Sequence, residues 1–130
     1  MDRQPVVADT DALIDLAEGA GAHEAVKALL RAGRLATTAV SVFELWRGCE
    51  TAAQRARARD LLRGIRVYPV TTASAMRAAE LWREIEEKGG RVGERDTLIA
   101  GVCLATRLAV LTANVKHLRR VPGLRVVAAR

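Results

Sequence analysis

Short apolar runs alternate with helical patterns along this chain, and that alternation limits its fold more than any other feature. Val6-Val7-Ala8 is an apolar run that stops at Asp9, and it predicts a buried strand. Leu35–Thr38, Val67–Val70, Ala109–Thr112 and Arg125–Ala128 predict four more. Between them the spacing predicts helices over 13–17, 22–32, 41–48, 52–63, 72–88 and 94–106, several closed by Gly. Val26, Leu29 and Leu30 mark one inward face, and Leu61 and Leu62 another, with Arg55, Arg59 and Arg63 stacked outward. In the long helix Met76, Ala79, Trp82 and Ile85 are read as inward. Apolar strands joined by helical crossovers imply an α/β fold with a parallel sheet covered on both faces.

A length of 130 residues fits one domain, and half of the residues are hydrophobic. Phe43, Trp46, Tyr68 and Trp82 are the only aromatics, so the core is built mainly of Ala, Leu, Val and Ile. Trp46 and Trp82 are expected in the core or an interface rather than as base-stacking platforms. The net charge of +6 comes almost wholly from Arg and suits a polyanionic partner, although an Arg-rich solvated surface gives the same sum. Cys49 and Cys103 form no CxxC pair and read as small buried hydrophobes. No apolar stretch is long enough to span a bilayer and no signal peptide is visible, so a soluble cytoplasmic protein with no membrane contact is expected.

Ligands of open parallel sheets bind beyond the carboxyl ends of the strands. Asp9 ends the first strand, and Asn114 follows the fourth. Glu44 and Asp96 fall near helix starts that reach the same edge if the first and fourth strands are neighbours. Each acid also has a plainer role. Ser41-Val42-Phe43-Glu44 reads as a capping box. Asp96 suits the positive end of a helix. Asp11 is either a cap or a spare acid. Asp9 alone has no propensity reason to end a buried strand. Three converging carboxylates repel one another, and a divalent cation such as Mg²⁺ or Mn²⁺, held by hard oxygens, removes that penalty. His117 is a candidate general base by residue type, with a solvated loop position as the alternative; His23 has no evident partner.

Val6-Val7-Ala8-Asp9-Thr10-Asp11-Ala12-Leu13 resembles the first motif of PIN-domain nucleases. Glu44-Leu45-Trp46-Arg47-Gly48 and Arg95-Asp96-Thr97-Leu98-Ile99-Ala100 resemble the second and third. Leu111-Thr112-Ala113-Asn114, running on to Val121-Pro122-Gly123-Leu124, resembles the closing segment. The nearest subgroup is the VapC-like toxins of toxin–antitoxin operons. The resemblance implies a three-layer α/β/α sandwich with a five-stranded parallel sheet and Mg²⁺- or Mn²⁺-dependent cleavage of RNA. It also implies homodimerisation and inhibition by a cognate antitoxin protein. It makes Asp9, Glu44, Asp96 and Asn114 the candidate catalytic set, Asp9 and Asp96 the candidate metal ligands, and Thr10 and Thr112 the candidate substrate-binding residues. Asn114 stands where many members carry a fourth acid, and His117 where many carry a further Asp.

Two other readings remain open in the sequence. Asp9-Thr10-Asp11 after a strand also resembles the first motif of haloacid-dehalogenase-type phosphatases, which need a downstream Lys; Lys27 is misplaced for it and Lys88 is the remaining candidate. Asn114 in place of an acid also fits a catalytically degenerate PIN-like module that binds RNA or protein.

Overall fold

Each strand is only three or four residues long, so the sheet depends on register and on apolar cover from both sides. The computed structural model describes residues 3–129. Its strands are β1 (Val6–Ala8), β2 (Leu35–Thr38), β3 (Arg66–Tyr68), β4 (Ala109–Thr112) and β5 (Val126–Ala128). They form one sheet in the order β3-β2-β1-β4-β5, with every neighbouring pair parallel. The helices are α1 (Thr10–Glu18), α2 (His23–Arg31), α3 (Ala39–Arg47), α4 (Ala52–Arg63), α5 (Thr72–Glu87), α6 (Glu94–Thr106) and the short α7 (Val115–Leu118).

The two-residue period of the strands divides the core into layers. Val6, Ala8, Leu35 and Leu111 pack with Ala12, Leu13, Val26, Leu45 and Ala58 on one face. Val7, Ala36 and Val110 pack with Ile99, Cys103 and Leu118 on the other. This is the expected three-layer sandwich. The chain winds from β1 outward through β2 to β3, then returns to place β4 on the other flank of β1. The strand order therefore reverses between β1 and β4, and the crevice at their carboxyl ends is where such sheets place ligands. Among the described residues, no helix is long and apolar enough to cross a membrane.

Three expectations change. α3 begins at Ala39, because Thr38 rather than Ser41 is the N-cap and accepts a hydrogen bond from the Ser41 amide at 3.2 Å. Glu44 thus lies past the first turn, and the capping-box reading of it fails. The segment after Asn114 forms α7, which no apolar periodicity signalled over so few residues. In α5 the buried face is Ser74, Ala78, Leu81 and Ile85, whereas Met76 is 65 % exposed and Trp82 36 %. Of the four residues expected inward, Ile85 is buried and Ala79, Met76 and Trp82 are exposed; the buried face is rotated to Ala78 and Leu81, and near Gly101 α5 meets α6 through small groups.

A Cβ on Gly101 of α6 would lie 2.6 Å from the Ser74 carbonyl oxygen and 2.8 Å from the Ala78 Cβ. Gly101→Ala should therefore lower the melting temperature. Overpacking costs about 1–3 kcal/mol, against the roughly 1 kcal/mol that Ala gains over Gly in a helix. Thermal unfolding followed by circular dichroism checks this; a rise in melting temperature would mean that the two helices do not meet so closely.

Candidate active site

β1 runs into α1 with a single residue between them, and that residue is Asp9. Its amide donates to the Leu111 carbonyl at 3.1 Å, which ties it to β4. Its Oδ1 accepts from the Ala12 amide at 2.9 Å, so Asp9 is also the N-cap of α1. The sequence offered no structural reason for an acid here, and the cap supplies one. Asp11, in the first turn of α1, is the spare acid and not the cap.

Asp9, Asp11, Glu44 and Asp96 line one polar cavity of about 190 Å³ at the carboxyl edge of the sheet, together with Thr10 and Asn114. The three expected acids therefore meet, although they come from the β1–α1 junction, α3 and α6. Glu44 Oε1 accepts from the Thr10 hydroxyl at 2.6 Å, and that hydroxyl lies 3.0 Å from the buried Ser41 Oγ. Arg95 Nε stands 3.9 Å from Glu44 Oε2. Thr112 does not reach the cavity. It is fully buried, its hydroxyl bonds Asp9, and its oxygen accepts from the Asn114 amide at 2.9 Å. In place of the expected contact with substrate, Thr112 holds Asp9 and the turn after β4. Asn114 is exposed at the cavity, and His117 is no free loop histidine: its Nε2 lies 3.4 Å from Asp96 Oδ2.

Asp9 is 5 % exposed. Burial pushes its carboxyl up to about 6; the Thr112 and Ala12 hydrogen bonds oppose this, and the charges of Asp11 and Asp96 add to it. Burial also raises Asp96; His117 opposes the shift, while Glu44 and Asp11 reinforce it. The carboxylates thus disfavour one another's ionised forms, the condition a divalent cation relieves. Among the described residues, no three Asp, Glu, His or Cys side chains are gathered closely enough to cage an ion by themselves. The donor set nevertheless fits Mg²⁺, which takes one or two carboxylates and keeps several waters.

The rim carries residues that the sequence reading did not single out. Phe43 is 55 % exposed, with the Arg47 guanidinium 5.3 Å from its ring centre and that of Arg95 6.0 Å away. Arg47 lies in the Glu44–Gly48 segment and Arg95 directly precedes Asp96, so both cations neighbour the acids in sequence. Among the described residues no lysine lines the acid cavity, so the phosphatase alternative lacks the cation its chemistry needs.

The raised Asp9 carboxyl has a consequence for stability without metal. Its folded value lies above the unfolded one, so the group favours folding when protonated and opposes it when ionised. In chelator, the stability contributed by Asp9 should rise as pH falls from above about 6 to below about 4. At pH 7.5, Asp9→Asn should be more stable than wild type by about 1–3 kcal/mol, since Asn keeps a capping oxygen. The gap should close near pH 4. Denaturant unfolding at the two pH values measures it; a variant less stable at pH 7.5 would contradict the crowding.

The PIN domain family model matches residues 6–124. Ribonuclease VapC10 of Mycobacterium tuberculosis is 34 % identical over 113 residues, covering 86 % of this chain and 84 % of that protein. The tRNA(fMet)-specific endonuclease VapC of Salmonella typhimurium is 26 % identical over 122 residues, covering 91 % and 92 %. In three dimensions the chain is similar to one in the crystal structure of VapBC2 from Rickettsia felis bound to a promoter DNA fragment. The TM-score is 0.84 at 18 % identity, over 96 % of this chain and 98 % of the other. The family match over nearly the full length of the chain leads to one conclusion: this chain belongs to the PIN-domain family.

Proposed function

We propose that this protein is a metal-dependent endoribonuclease and the toxin of a toxin–antitoxin pair. The observation that carries the reading is the meeting of Asp9, Glu44 and Asp96 in one cavity where burial and like charge raise two of them. The names of the related ribonucleases support RNA as substrate. Three retained acids favour an active nuclease over a degenerate module.

Asp9 and Asp96 would hold Mg²⁺ or Mn²⁺, which when bound supplies Lewis-acid stabilisation of the phosphodiester and lowers the pKa of the attacking water. Thr112 and the Ala12 amide keep Asp9 aimed at that position. Thr10 fixes one oxygen of Glu44, which leaves that carboxylate to accept a hydrogen bond from the attacking water. His117 braces Asp96 from outside the acid cavity. Asn114 contributes a neutral oxygen in place of the fourth acid. Thr10 lines the space that the scissile phosphate would occupy.

An active ribonuclease needs restraint inside the cell that makes it. We place this one in the cytoplasm, as a homodimer held inactive by a cognate antitoxin protein that covers the acids. The relatedness to chains in VapBC structures supports that partner.

Brief induction of the protein without its antitoxin should slow growth and create new RNA ends at defined positions. Asp96→Asn should reduce both by on the order of a hundredfold or more, as expected when a group that stabilises transition-state charge is lost. Sequencing RNA ends after induction of each form checks this; identical ends and equal toxicity from both would reject the nuclease reading.

A further inference from the structure

A second and larger cavity, of about 530 Å³, adjoins the acids. Trp82 and Ile85 of α5 form part of its wall, Glu86 and Arg91 stand at it with opposite charges, and Val92 and His117 also line it. His117 joins the two spaces, because the ring that lines this cavity is the one 3.4 Å from Asp96 Oδ2. The Gly89-Gly90 turn also lines it. Gly89 has a φ of +74°, and a Cβ on Gly90 would crowd Ile85 Cγ2 at 3.2 Å. Trp82, which the sequence assigned to core or interface, is left 36 % exposed on this wall.

We propose that this cavity is a nucleobase subsite: it takes one unstacked base of single-stranded RNA, stacked on Trp82, while a neighbouring phosphodiester lies over the acids. The inference rests on RNA being the substrate. Without a cation the acids repel a polyanion, so affinity for RNA in chelator comes from groups away from them. The volume is in the range of small-ligand pockets, and an aromatic wall with a few polar groups is what such pockets combine. An indole offers a stacking face to any base, and Arg91 and Glu86 offer donors and an acceptor to its edge. His117 lines this cavity and lies 3.4 Å from Asp96, so the two spaces are one side chain apart, and the molecule able to occupy both at once is a substrate strand with its base in one and its phosphodiester at the other. Met76, elsewhere on α5, is 65 % exposed and does not line this cavity.

The test uses the full chain with Trp46→Phe, so that Trp82 is the only indole. In chelator and low salt, a mixed-sequence hexaribonucleotide should quench its fluorescence saturably. Trp82→Ala should weaken binding of the labelled hexamer about tenfold, and Trp82→Phe should restore most of it. With Mg²⁺, Trp82→Ala should raise KM by a similar factor and leave kcat within about twofold. Matching far-ultraviolet circular dichroism and melting curves exclude misfolding as the cause. Unchanged hexamer affinity in Trp82→Ala overturns the proposal. So does a Trp82 signal that follows protein concentration or added antitoxin but not RNA, which would make the cavity a protein interface. If Asp9→Asn abolishes cleavage while Trp82→Ala changes nothing, only this inference fails; if wild type does not cleave RNA at all, the nuclease reading fails first.

Discussion

A carboxylate buried at the junction of the two central strands is the constraint around which this molecule is arranged. Asp9 is tied to β4 through its amide and caps α1 through its side chain, so it cannot swing away from the neighbouring acids. Asp11, on the same helix, and Asp96, on α6, raise its cost of ionisation. A chain selected for stability alone would place Asn or Ser at this cap. The acid stands where its ionised form is electrostatically unfavourable, and a bound cation would remove that cost.

The fold supplies that crowding by geometry. β1 and β4 are parallel neighbours, with Ala8 paired to Leu111, so the residues that follow them emerge side by side. α3 and α6 then bring Glu44 and Asp96 to the same edge. The helices are held by small side chains as much as by large ones. Ser74, Ala78 and Gly101 set the approach of α5 to α6, the same two helices that carry Trp82 and Thr97 to the wall of the larger cavity.

The layer architecture was legible because strand and helix periodicities alternate cleanly and the apolar runs are short. Ala52–Arg63, Glu94–Thr106, Leu35–Thr38 and Ala109–Thr112 fall where the pattern predicts. The acids were legible because topology sends them to one edge. Misreadings arose where one residue does two jobs or where size misleads. Asp9 ends a strand and caps a helix at once. Thr38 is both the last strand residue and the cap of α3, so Ser41 was mistaken for the cap. Thr112 looked like a pocket residue because it follows the right strand, yet its hydroxyl is spent on Asp9. Met76 and Trp82 looked like core because they are bulky. The Phe43, Arg47 and Arg95 cluster depends on contacts between α3 and the start of α6, which no local pattern reveals.

The account stands on the acids being a cation site, and calorimetric titration of Mg²⁺ into metal-free protein tests that most directly. Wild type should show saturable binding at neutral pH. Asp96→Asn should bind at least about tenfold more weakly, and Asn114→Asp, which adds a charge at the same cavity, should bind more tightly than wild type. Equal affinity in all three forms, or no saturable binding in any, would contradict the claim.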